Sequence, residues 1–153
     1  MDLADQKLEI DDCNCFTVRK VARQLSRLYD AFLQPTGIRI TQFLILAVLA
    51  KVEGASVNGL AERLDLERTA MGKTLGPLER DGLIRIKPSS TDGRSRVVTI
   101  TSKGNRVFQD AHPRWKQAQH QLAELNGTQW INALRSKLSE IKFDKANIRS
   151  GDK

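Results

Sequence analysis

Between Ser56 and Thr101 the spacing of apolar residues switches from a helical to a strand period, and that switch limits what the chain can fold into. Ser56 is a helix N-cap by residue type. Val57, Leu60, Ala61 and Leu64 follow at helical spacing, so one face of a short helix is apolar. Leu66 comes next and should plug the junction with a second helix that begins near Glu67. In that helix Ala70, Met71, Leu75 and Leu78 share the inward side, which leaves Glu67, Arg68, Thr69, Gly72, Lys73 and Arg80 outside. Gly82 ends it, as a residue free to take positive φ. The period then becomes two. Leu83, Ile84 and Ile86 begin a strand with Arg85 and Lys87 pointing the other way, and Val98 and Ile100 return beyond the turn signal Asp92-Gly93. Arginines 94 and 96 sit at the tip of this ribbon. Gly76-Pro77 interrupts the second helix, since proline removes a backbone donor. The expectation is a bend before Pro77 or an end at Leu75, with Glu67 to Leu75 intact either way.

Two short helices, a tight turn and a two-stranded ribbon bearing arginines make a winged helix-turn-helix, which holds its second helix in the major groove of DNA. Arg68, Thr69 and Lys73 are then the candidate base readers. Arginine and lysine suit guanine edges, and threonine can bond a base or touch a thymine methyl. Arg94 and Arg96 on the ribbon tip can enter a minor groove. Thr41, Gln42, Ser56 and Asn58 fall at helix starts, where backbone N–H groups favour phosphate.

At 153 residues there is room for one domain with a real core. The net charge of +7 favours an acidic partner, nucleic acid or a membrane surface. The excess is not in the motif itself. Residues 56–101 carry eight bases against six acids, so a positive face there must come from arrangement. The longest apolar run, Phe43 to Ala50, is far short of the roughly 18 residues of a spanning helix. The acidic start is unlike a signal peptide, so the reading is a cytoplasmic protein without a membrane partner. Cys13 and Cys15 are too few and too close for a disulfide framework.

Residues 1–12 read as a disordered arm and 144–153 as a loose basic tail. Val18, Val21, Leu25, Leu28 and Phe32 mark a long first helix, broken at Gln34-Pro35-Thr36-Gly37. Thr41 should cap a very apolar helix running to about Val52. Thr101 or Ser102 should cap a long helix bent at Pro113, with Val107, Ala111, Trp115, Ala118, Leu122 and Leu125 on one face. After a turn at Asn126-Gly127-Thr128, a last helix carries Ile131, Leu134, Leu138 and Ile141. The fold class is therefore mainly α, with residues 41–101 the winged helix-turn-helix and helices in 13–40 and 102–143 forming a dimerisation domain. A two-fold homodimer reads a pseudo-palindromic site on double-stranded DNA, with half-sites about one turn, ~34–36 Å, apart.

Other chemistries find little support. Gly72-Lys73-Thr74 resembles the end of a phosphate-binding loop, but the glycine required five residues earlier is Glu67. His112 and His120 are eight apart and match no zinc spacing, and Cys13 and Cys15 with a histidine make only a weak metal set. No nucleophile–base order or paired carboxylates stand out, so an enzyme is disfavoured and no cofactor is expected. The basic wing disfavours a pure protein-interaction module.

The chain resembles the MarR family of bacterial transcriptional regulators over about Cys15 to Phe143. The resemblance rests on Gly37-Ile38-Arg39-Ile40-Thr41-Gln42-Phe43, Leu60-Ala61-Glu62-Arg63-Leu64, Leu78-Glu79-Arg80-Asp81-Gly82-Leu83-Ile84, and Asp92-Gly93-Arg94-Ser95-Arg96 followed by Thr99-Ile100-Thr101-Ser102-Lys103-Gly104. It implies a helical dimer that represses genes until a small ligand or an oxidant releases it. It also implies that the acid and the arginine of the wing, here Asp92 and Arg94, form a pair. The implied ligand pocket lies between the dimer helices and the DNA-binding unit, where Phe16, Arg23, Tyr29, His112 and Trp115 are candidates. In the hydroperoxide-sensing branch a cysteine near the start of the first helix is the sensor. Cys15 matches it and Tyr29 matches one of two tyrosines around it, while the second tyrosine position is Ile40. Cys15 is thus either a redox sensor or a structural residue at the dimer interface.

Overall fold

The structure, a computed structural model, describes residues 9–144. Most of the arm and tail read from the sequence lies outside the described residues. Glu9–Asp12, assigned above to the arm, form a 3-10 turn instead. Then come α1 (Asn14–Leu33), α2 (Ile40–Leu49), β1 (Ala55–Ser56), α3 (Val57–Arg63), α4 (Arg68–Arg80), β2 (Ile84–Pro88), β3 (Arg96–Ile100), α5 (Ser102–Asn126) and α6 (Thr128–Ser139). Packing divides the chain between Lys116 and Gln117 into two compact units. The first takes in α1 and the start of α5 together with the winged helix-turn-helix, because Leu33 and Ala111 belong to the same buried cluster as Leu60, Met71 and Leu78.

At the centre of the first unit is α2. Ile45, Leu46 and Leu49 are completely or almost completely buried, which is why its sequence shows an apolar run rather than a stripe. Its start differs from the expectation. Thr41 is not the cap; the cap is Arg39, two residues earlier, so the helix begins at Ile40 and ends at Leu49 rather than Val52. Gln42 turns its Oε1 back to accept the Arg39 N–H at 3.0 Å, and Asp30 Oδ1 on α1 accepts the Ile40 N–H at 2.7 Å. A carboxylate supplied from another helix can replace a local cap, and it suits the positive end of the helix dipole; sequence spacing could not reveal it.

The helix-turn-helix follows the reading above with three corrections. Leu66 does not plug the junction, being 39% exposed, and Ala70 also faces solvent. Asp65 takes a left-handed φ of 51° and throws Leu66 outward, while the Leu66 N–H returns to the Ala61 carbonyl at 2.8 Å. Leu64, half-buried, fills the junction instead. On α4 the buried stripe is Met71, Leu75 and Leu78, and Ala70 lies about 100° round the helix from Met71. The third correction concerns the alternative of an end at Leu75. The helix continues through Pro77 to Arg80. The clash that proline imposes on its neighbour involves the neighbour's Cβ, and Gly76 has none. α5 likewise continues through Pro113. Gly82 closes α4 at φ 75°, with the Leu83 N–H on the Leu78 carbonyl and the Gly82 N–H on the Glu79 carbonyl, both 2.9 Å.

The wing gains a strand. β2 and β3 pair antiparallel, Ile84 opposite Ile100 and Ile86 opposite Val98, and the short β1 adds on the far side of β3 to give the order β1-β3-β2. Thr101 is the cap of α5: its Oγ1 accepts the Gly104 N–H at 3.0 Å and donates to the Gly82 carbonyl at 2.6 Å. In the second unit α6 starts behind Gly127 and has no buried residue among those described.

Candidate nucleic-acid interface

The first turns of α4 carry Arg68 and Thr69, and Lys73 follows one turn later; all are exposed. Gly72 and Gly76 lie on the same open side, where an added Cβ would meet nothing within 4 Å. Two glycines inside a helix cost roughly 0.5–1 kcal/mol each; Gly76 relieves the clash with Pro77, and nothing within the chain requires Gly72. The result is a helix face with three polar or cationic side chains and a low backbone profile between them. Gly72-Lys73-Thr74 lies in the middle of this helix, not in a phosphate-cradling loop.

The wing tip is organised by Asp92. Its Oδ1 accepts the Arg94 backbone N–H at 3.0 Å, its Oδ2 accepts the Ser95 hydroxyl at 3.1 Å, and the Ser95 N–H returns to its carbonyl at 3.0 Å. The pairing of Asp92 with Arg94 is therefore made to the backbone and not to the guanidinium. Among the described residues, Arg68, Lys73, Arg94 and Arg96 form no ion pair, so their charges are uncommitted. The helix-start residues divide. Thr41 and Asn58 are exposed in the first turns of α2 and α3. The Ser56 hydroxyl is occupied as the α3 cap, accepting the Gly59 N–H at 2.9 Å, and Gln42 is held by Arg39.

The pocket candidates also divide. His112 and Trp115 line a groove of about 660 Å³ in the first unit, together with Phe43, Lys51, Arg63 and Phe108. Phe43 stacks on Phe108 at 5.4 Å and on Trp115 at 5.8 Å, and His112 lies 5.8 Å from Phe108 and 5.7 Å from Trp115. Two cations and no carboxylate line the groove. Phe16, Arg23 and Tyr29 do not line it. The sequence reading missed Phe108, although it stands four and seven residues before His112 and Trp115 on one helix face; Phe43 was hidden in the apolar run of α2. Cys13 and Cys15 are both exposed free thiols, Cys13 at the cap of α1 and Cys15 in its first turn. Among the described residues, no single helix is long and apolar enough to cross a membrane.

The MarR family sequence profile matches residues 36–95, from the end of α1 through the wing tip. The Mycobacterium tuberculosis transcriptional regulator MosR, solved in complex with DNA, superposes with a TM-score of 0.75 and is 35% identical, covering 83% of this chain and 92% of that one. The chain belongs to the MarR family. Within it, the transcriptional activatory protein BadR of Rhodopseudomonas palustris is 30% identical over 109 residues, 69% of this chain and 62% of BadR. The organic hydroperoxide resistance transcriptional regulator of Bacillus subtilis is 28% identical over 97 residues, 63% of this chain and 66% of that protein. The matches thus span under two thirds of these two curated relatives. All three relatives are named as regulators of transcription or of hydroperoxide resistance, and none as an enzyme.

Proposed function

We propose that this MarR-family chain is a cytoplasmic, homodimeric, sequence-specific DNA-binding repressor that a small molecule releases. The observation that carries the DNA reading is the uncommitted cationic face of α4, Arg68, Thr69 and Lys73 around two unshielded glycines, in one compact unit with a wing tip bearing Arg94 and Arg96. Arg68, Thr69 and Lys73 read base edges, and the wing arginines hold the backbone or a narrow minor groove. Dimerisation is supported by apolar surface left open in each unit: Val18 and Val21 on α1, Trp130 and Leu138 on α6. The groove between α2, α3 and α5 suits the effector. Its stacked rings fit a planar aromatic body, and Lys51 and Arg63 fit an anionic group on it. The test is electrophoretic retardation of the DNA upstream of the chain's own gene, with scrambled DNA as control. Retardation confined to the upstream DNA and reversed by an aromatic carboxylate supports the reading. Equal retardation of both DNAs would sink sequence specificity.

A second reading has its own observation. Cys15 is exposed in the first turn of α1, and one relative is a hydroperoxide-resistance regulator. If Cys15 is the sensor, stoichiometric organic hydroperoxide releases the DNA and Cys15→Ser stays bound. With Ile40 at the second tyrosine position, the expected result is no release.

A further inference from the structure

A helix in one groove and a ribbon tip on the neighbouring backbone engage one duplex only if the angle between them is held. Three contacts join the end of α4 to the root of the wing. Lys103 Nζ donates to the Asp81 carbonyl at 2.8 Å, Thr101 Oγ1 donates to the Gly82 carbonyl at 2.6 Å, and the Thr101 N–H donates to the Leu83 carbonyl at 3.1 Å. All three reach only the base of the ribbon, on the side of β3 and α5. A fourth contact reaches further. Glu79 Oε2, in the last turn of α4, accepts the Ile86 N–H at 2.9 Å, midway along β2.

β2 is the edge strand of the sheet, and the Ile86 N–H points away from β3. Pro88, two residues on and facing the same way, has no N–H to offer. Glu79 is a poor choice on every other ground. It stands at the negative end of the helix dipole, where an acid is unfavourable, and it places an anion on the DNA-facing motif. Neither helix stability nor attraction to DNA explains it, whereas the bond to Ile86 does. We propose that Glu79 is a positioning residue, its carboxylate tying the last turn of α4 to the outer edge of β2 and so fixing the angle at which the wing meets DNA. The proposal rests on the reading that α4 and the wing touch the same duplex.

The test is a double-mutant cycle on cognate DNA, using Glu79→Ala and Arg94→Ala singly and together, with Glu79→Gln as the conservative control. A misplaced wing has less contact to lose, so the penalty of Arg94→Ala should shrink about threefold or more in the Glu79→Ala background. Glutamine keeps an acceptor oxygen but not the charge, so Glu79→Gln should restore the full Arg94→Ala penalty. Ile86 amide exchange, followed by NMR, should be slow in the wild type and in Glu79→Gln. An equal Arg94→Ala penalty in all three backgrounds overturns the positioning role while leaving the wing contact standing. An Arg94→Ala change with no effect in the wild type overturns the wing contact itself and the proposal with it. If Glu79→Ala does not fold, the decision passes to Glu79→Gln: wild-type Ile86 protection together with the wild-type Arg94→Ala penalty supports the proposal, and loss of either overturns it.

Discussion

Gly72 and Gly76 both face open space on the exposed side of α4; Gly76 already relieves the clash with Pro77, so it is the value of Gly72 that should appear only when another body approaches that face. Gly72→Ala is expected to stabilise the free protein by up to about 1 kcal/mol, because alanine is the better helix former, whereas Gly76→Ala restores the Cβ that clashes with Pro77 and is expected to destabilise it. Both are expected to weaken DNA binding, since a methyl group then stands where the duplex must come close. Chemical denaturation and a DNA titration on the same two variants check this, and a Gly72→Ala variant that is stabilised yet binds as well as wild type would remove the reason offered for Gly72. Gly104 has the opposite explanation. A Cβ there would land on the Leu83 carbonyl, a backbone atom that cannot step aside.

That close approach belongs to an element, the start of α5 packed against the wing root. Gly104→Ala should force α5 away from Leu83 and destabilise the chain by about 1–3 kcal/mol or more, read as a lowered denaturation midpoint. A midpoint equal to wild type would mean that α5 does not dock there. At this scale the sequence was most legible where spacing is local. The faces of α3 and α4, the Gly82 stop and the pairing of Ile86 with Val98 all follow from period and turn chemistry. It was least legible where one element completes another. Asp30 caps α2 from ten residues away, Glu79 reaches β2, and β1 pairs with β3 across more than forty residues. The alternative of a helix end at Leu75 failed for a related reason, since the glycine before Pro77 relieves the clash that usually marks a helix end. The interface candidates on α4 and the wing, which remain a proposal, rest on charge and period coinciding there. The groove was not, because Phe43 reads as core in an apolar run.

For the whole molecule the central unmet requirement is apolar surface. α6 buries no residue among those described, and Leu138 is 46% exposed and Trp130 57%. A helix of twelve residues is marginal in water by itself, so a second copy of the chain is the expected cover. Leu134→Asp with Leu138→Asp should dissociate or unfold the protein, visible in sedimentation as loss of the dimer. A folded wild-type monomer at micromolar concentration would contradict this. The charge pattern acts on the same scale: with the motif itself only mildly basic, binding is expected to depend on where the proposed contacts Arg68, Lys73, Arg94 and Arg96 stand rather than on the net +7.

The division of labour between reading helix and wing is tested most directly by one binding series, with wild type, Arg68→Ala and Arg94→Ala titrated against cognate and scrambled DNA at several salt concentrations. Arg68→Ala is predicted to cost about 1–3 kcal/mol on the cognate site and to relax preference at one base pair per half-site. Arg94→Ala is predicted to weaken both DNAs in similar proportion and to flatten the log–log salt slope by about one per lost phosphate contact. If Arg68→Ala weakens both DNAs equally, and Arg94→Ala leaves affinity and salt slope unchanged, then α4 does not read this DNA through Arg68 and the wing does not touch it.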